Sequence, residues 1–249
     1  MNHVGISFEG KVALVTGASK GLGKDIVSAL CRSGANVLFT FRNSRAEADA
    51  LSSILGGQAV GMQADASDSF AAEVVVSKTI EAFGTIDILI NNASSAKHAG
   101  IDRLSIDDWN FTLQNTLTPV FLYTKAVIPH FKEKKHGKII NIGSINGLRG
   151  REGSAAYAAA KSGLVGFTKT CAKELGKYHI NCNLVAPGYI DTDGQANTSE
   201  LIKKMVLDEC CIRELTKPED ITNLVLFLAS SYSDAITGEV YRIGYGQYL

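Results

Sequence analysis

The stretch KVALVTGASKGLGKDIVSAL, residues 11–30, decides the fold. Its opening, KVALVT (11–16), is almost wholly apolar. That composition predicts a strand buried on both faces, and hence a parallel sheet lying between helix layers. The chain then turns through TGASKGLG (16–23) and opens a helix running from Gly21 to about Ser33. The glycine spacing is Gly-x-x-x-Gly-x-Gly. Such glycines let a backbone turn tightly and approach a pyrophosphate, and the helix start aims free N–H groups and a positive dipole end at it. Gly17, Ser19, Lys20, Gly21, Leu22 and Gly23 are therefore the expected cradle of a dinucleotide.

Outward from this stretch, strands and helices alternate. Strands are predicted at 36–41, 58–63, 86–91, 138–143, 180–186 and 239–243, and helices near 45–55, 68–83, 106–132, 154–177 and 218–229. This alternation gives an α/β, doubly wound Rossmann fold. No linker-like tract interrupts it, so residues 1–249 are expected to form a single domain, with a mixed polar and apolar excursion at 190–215 as a lid over the substrate. Ligands of such sheets bind beyond the carboxyl ends of the strands. That rule sets Gly17, Arg42, Asp65, Asn92, Ser144 and Pro187 along one rim.

Composition narrows the function. Lys+Arg and Asp+Glu are both 25, so the net charge is zero and no global field draws nucleic acid or an anionic membrane. No apolar run approaches the ~18 residues of a membrane span, and the start MNHVGISFEGK has no apolar signal core. The five scattered cysteines read as reduced thiols in a cytoplasm. The Cys210-Cys211 pair has no His or Cys nearby at ligand spacing, so no metal is expected.

The second strand ends in FTFRNSR (39–45). An acid at this place would grip a ribose 2′-hydroxyl, whereas arginine accommodates a 2′-phosphate. Here stands Arg42, with Arg45 nearby and Lys20 in the glycine turn, which favours NADP(H) over NAD(H). Asp65, followed by Ala66, is placed to accept a bond from the adenine amino group, while Asp68 suits a helix cap.

In SAAYAAAKSG (154–163), Tyr157 and Lys161 share a helix face. A free phenol titrates near ~10, and a nearby ammonium is expected to lower that value. Ser144, just past the fifth strand, can bond a substrate oxygen.

Together TGASKGLG, the acid of ADASD, NNA (91–93), Ser144, YAAAK (157–161) and PGYIDT (187–192) are specific. From Lys11 to about Gly244 the sequence resembles the classical short-chain dehydrogenase/reductase family, and most closely its 3-oxoacyl-carrier-protein reductase branch. The resemblance implies a seven-stranded sheet of order 3-2-1-4-5-6-7, a homotetramer, and hydride transfer between a nicotinamide and a carbonyl or alcohol. It implies Ser144, Tyr157 and Lys161 as the catalytic set, Asn92 and Ala93 beside the cofactor, and Pro187, Gly188, Ile190 and Thr192 on its nicotinamide side. A small-molecule or acyl-thioester ketone is the implied substrate, with an acyl carrier protein as a possible partner.

The chain departs from the family at three places. Thr116 occupies the slot of the usual catalytic asparagine, with Asn115 one position earlier. Pro119 is expected to kink the long helix and free the carbonyl of residue 115 for a water linked to Lys161. Ser94 replaces the glycine usual after NNA, and the tail reads RIGYG (242–246) instead of Asp-Gly-Gly. These changes fit a specialised ketoreductase or alcohol dehydrogenase acting on a free polar or cyclic substrate as well as they fit fatty-acid synthesis. A nucleotide sensor without turnover would have no need of Tyr157.

Overall fold

The computed structural model describes residues 5–191 and 199–248; Thr192, expected at the nicotinamide, and residues 193–198 of the excursion lie outside them. Strand β1 (Val12–Val15) leads to helix α1 (Gly21–Arg32), β2 (Asn36–Phe41), α2 (Arg45–Leu55), β3 (Ala59–Gln63) and α3 (Ser69–Phe83). The chain then crosses to β4 (Ile88–Asn91), α4 (Ile106–Thr116), α5 (Thr118–Lys134), β5 (Gly137–Ile142), α6 (Asn146–Arg149) and α7 (Ala155–Leu175). It closes with β6 (Ile180–Pro187), α8 (Glu200–Glu209), α9 (Pro218–Ala229) and β7 (Val240–Ile243). The strands form one parallel sheet in the order β3-β2-β1-β4-β5-β6-β7.

Both sheet faces are covered. Ala13, Val15, Val37, Phe39, Ile88 and Ile90 pack on one side with Ile26 and Leu30 of α1 and Ile221 and Val225 of α9. The alternate residues Leu14, Leu38, Leu89 and Ile139 meet Val75 of α3, Val127 and Phe131 of α5, and Leu175 of α7 on the other. The period of two in a strand produces this split, and burial of both sets explains why the strands read as unbroken apolar runs. Register aligns Val15 with Phe39 and with Ile90, so the residues that follow each strand emerge together. The strand order reverses between β1 and β4, which opens a crevice at that edge.

The expected helix over 106–132 is two helices. It stops at Thr116 and restarts at Thr118. Pro119 therefore lies in the first turn of α5, where its missing N–H costs nothing, and not in a helix interior. The Asn115 carbonyl, which Pro119 leaves without an N–H partner four residues on, accepts the Ser95 N–H at 3.1 Å. An unbroken helix would pair the Val120 N–H with the Thr116 carbonyl. Instead that N–H turns to Leu117 at 3.2 Å, and the carbonyl the break releases is that of Thr116. Among the described residues, no helix is long and apolar enough to cross a membrane.

Candidate active site

The glycine turn closes tightly against the end of β4. Gly17 and Gly21 have φ of +63° and +56°. A Cβ on Gly17 would sit 2.7 Å from the Ala93 Cα, and one on Gly23 would sit 2.6 Å from the Asn92 Nδ2. Asn92 braces the turn by donating to the carbonyls of Thr16 (3.1 Å) and Gly17 (2.9 Å). The Thr16 hydroxyl accepts the N–H groups of Asn92 and Ala93, and the Gly17 N–H donates to the Thr40 hydroxyl at 3.0 Å. Helix α1 has no acid in its first turn, so its positive end stays free for an anion.

Beside the turn lies a cleft of about 370 Å³. Gly17, Ser19, Lys20, Arg42, Asp65, Ala66, Asn92 and Ala93 line it. Leu22 instead packs onto the core beneath α1. Asp65 accepts the backbone N–H (2.9 Å) and hydroxyl (2.7 Å) of Ser67, and these bonds lower its pKa. Arg42 donates to the Asn115 side chain at 3.0 Å, whereas Arg45 is turned to Gln63 at 2.8 Å. A turn that only glycine can enter, a free helix start and a cleft edged by two cations together fit a dinucleotide.

Ser144, Tyr157 and Lys161 converge at the same rim. Ser144 stands two residues past the end of β5, and its Oγ accepts the Asn146 N–H at 3.2 Å. Tyr157 lies in the first turn of α7, and the Ser144 hydroxyl pulls its pKa down. Gly147 of α6 allows α7 to approach closely: a Cβ on it would lie 2.7 Å from the Lys161 Cβ. Lys161 is 3% exposed, donates to the Ile142 carbonyl at 2.6 Å, and holds its Nζ 5.7 Å from the centre of the Tyr157 ring.

Burial dominates the titration of both groups. It lowers the Lys161 pKa to about 8. It raises the Tyr157 pKa, with the Ser144 bond pulling the other way. Desolvation of the phenolate is thus the larger influence on Tyr157, against the expected lowering.

Thr116 is fully buried and donates to the Ser95 carbonyl at 2.9 Å, with the Ser94 hydroxyl 3.2 Å away. Its hydroxyl bonds thus go to the strap after β4, and Ser94 supplies a partner that glycine could not. Pro187 ends β6, Gly188 bonds the Ile243 carbonyl at 2.8 Å, and Ile190 bridges to Thr216. Sequence reasoning overlooked His98, whose ring lies 5.9 Å from that of Tyr157, and Gln247, which binds the Tyr189 N–H at 2.9 Å. No local motif marks either one.

The short chain dehydrogenase family matches residues 11–202. The chain is a short-chain dehydrogenase/reductase. This dehydrogenase/reductase is 39% identical over 244 residues to the 3-oxoacyl-[acyl-carrier-protein] reductase of Escherichia coli K12, covering 98% of this chain and 100% of that one. The protein of the same name from Synechocystis is 37% identical over 243 residues, covering 96% and 97%. Among solved structures, a double mutant of a Serratia marcescens short-chain dehydrogenase/reductase superposes with a TM-score of 0.90 at 35% identity, covering 97% and 99%. With relatives this similar over their full length, the enzyme belongs to the 3-oxoacyl reductase-like branch.

Proposed function

We propose that this chain is an NADPH-dependent reductase of 3-oxoacyl thioesters or similar ketones. The observation that carries the reading is the convergence of Ser144, Tyr157 and Lys161 at the rim that holds the dinucleotide cleft. Bound NADPH would supply the hydride. The Tyr157 hydroxyl gives its proton to the carbonyl oxygen. Ser144 holds that oxygen as charge develops, a donor role that elsewhere is worth ~2.7–4 kcal/mol. Lys161 holds the ribose hydroxyls. Arg42 and Lys20 bind the 2′-phosphate, Asp65 and Ala66 the adenine, and Pro187, Gly188, Ile190 and Thr192 the nicotinamide side. The whole chain acts as one domain, with 190–215 over the substrate, in a cytoplasmic homotetramer.

The test is NADPH oxidation with an acetoacetyl thioester. Tyr157→Phe is expected to abolish turnover while leaving NADPH binding, read by fluorescence titration, nearly intact. Substantial residual turnover would defeat the assignment. A second reading, a specialised ketoreductase for free ketones, is favoured by the tail that lies against the segment after β6. Faster turnover of a cyclic ketone than of the thioester would select it.

A further inference from the structure

We propose that His98 is a substrate-positioning residue that selects ketones carrying a second acceptor oxygen two carbons from the first. The proposal rests on the reductase reading above and names the substrate feature that the site would recognise.

His98 lies in the strap between β4 and α4, which is tied down on both sides of it. The Lys97 N–H donates to the Thr112 hydroxyl at 3.0 Å, fastening the strap to α4. Ala99 pairs in parallel with Ser154, fastening it to the start of α7. Between these anchors the His98 ring tilts 58° against the Tyr157 ring, centre to centre 5.9 Å. Its Nδ1 is 3.2 Å from the Oγ of Ser154, a residue only 6% exposed. A side chain held by its neighbours in this way presents a defined geometry to a ligand.

His98 is exposed and its ring lies beside the phenol, within reach of whatever flanks a carbonyl held there. A monoketone has only hydrocarbon there, and an apolar side chain would serve it as well. An imidazole instead supplies hydrogen-bonding capacity. With Nδ1 engaged by Ser154, Nε2 on the other side of the ring is left to meet an oxygen. In a 1,3-dicarbonyl, such as a 3-oxoacyl thioester, the second carbonyl oxygen stands beside the one that Tyr157 protonates. His98 then fixes which carbonyl sits at the phenol, and so holds the reacting carbon in register.

The experiment compares kcat/KM for an acetoacetyl thioester of N-acetylcysteamine with that for 2-octanone, in the wild type, His98→Phe and His98→Gln. Phenylalanine keeps an aromatic ring against Tyr157 and removes the hydrogen bond. The dicarbonyl-to-monoketone ratio is expected to fall about tenfold in His98→Phe, the size of one ordinary hydrogen bond. The fall should be carried by KM, and His98→Gln should recover part of it. An unchanged ratio, including one in which both substrates slow equally, overturns the proposal and leaves the reductase reading standing. A wild type that reduces neither substrate overturns both.

Discussion

Lys161 is held against its own hydration preference. It is 3% exposed, and the Ile142 carbonyl is its hydrogen-bond partner. Burial brings its pKa from 10.5 to about 8. The folded chain therefore releases this proton near pH 8, while the unfolded chain keeps it until ~10.4. Between those values the unfolded state binds more protons, so the contribution of this group to stability rises with pH. Below pH 8 the cost is fully present, about 3 kcal/mol for a shift of about 2.5 units at ~1.36 each. Lys161→Met is expected to lose turnover yet exceed the wild type in stability at pH 7 by up to that amount. The advantage should shrink as pH rises from about 8 toward 10.5. Denaturant midpoints at pH 7 and pH 10 measure it, and an advantage that does not depend on pH would show that burial of charge is not its source. Arg42 carries a second residue-scale prediction. Asn115 holds its guanidinium at 3.0 Å on the edge of the cleft. Arg42→Asp should raise the KM for NADPH by about tenfold or more, the worth of a charged hydrogen bond, while changing that for NADH far less. Equal changes for the two cofactors would remove Arg42 from phosphate recognition.

The end of helix α4 is tied to residues some twenty positions away. Ser95 N–H takes the Asn115 carbonyl, and the Ser95 carbonyl takes the Thr116 hydroxyl. The strap after β4 thus holds the helices apart at Leu117, and Pro119 merely begins the second one. Pro119→Ala is therefore expected to leave turnover within about twofold, since its ring fits a first helical turn that other residues also adopt. Thr116→Val deprives the partly buried Ser95 carbonyl of its donor, which costs about 1 kcal/mol of stability, and should slow turnover by disturbing the break. Parallel activity and thermal-melt measurements on the two variants decide between strap and proline. The opposite ranking would make the proline the cause. The contrast explains what could be read from the sequence. The glycine turn, the Asp68 cap of α3 and the apolar strands are set by neighbours a few residues apart, and their spacing is visible in the chain. The hydrogen bonds at the helix break were not visible, because they reach across some twenty residues. A proline in the right region invited a local explanation.

At the scale of the whole molecule, the alternation of strands and helices was readable from periodicity, whereas the strand order came through family resemblance. Ser144, Tyr157 and Lys161 come together because β5 and α7 end and begin at the same rim, and motif spacing already hinted at this. His98 and Gln247 owe their places to chain segments far away in sequence. The tail shows why such residues matter. Gln247, 8% exposed, accepts the Tyr189 N–H at 2.9 Å and donates to Glu209 at 2.9 Å. One side chain thereby joins the segment after β6 to the end of α8. The Ile212 N–H donates to the Tyr245 carbonyl at 3.1 Å, and the Arg149 guanidinium lies 3.1 Å from the centre of the Tyr248 ring, tying the tail to α6 near Ser144. Tyr245 and Tyr248 hold φ of +51° and +59°, a conformation costly for non-glycine residues and sustained here by those contacts. Gln247→Ala would leave the Tyr189 N–H and the Glu209 carboxylate short of a partner. The expected loss is about 1–3 kcal/mol, which at ~2–4 °C per kcal/mol for a chain of this size gives a fall in Tm of several degrees. The KM for the ketone should rise with it, because α8 and the Tyr189 segment would no longer be held to one another, while the KM for NADPH should barely move if, as proposed, it is set at the glycine turn and Arg42. A variant with unchanged Tm and ketone KM would show that the tail merely rests on this end of the molecule.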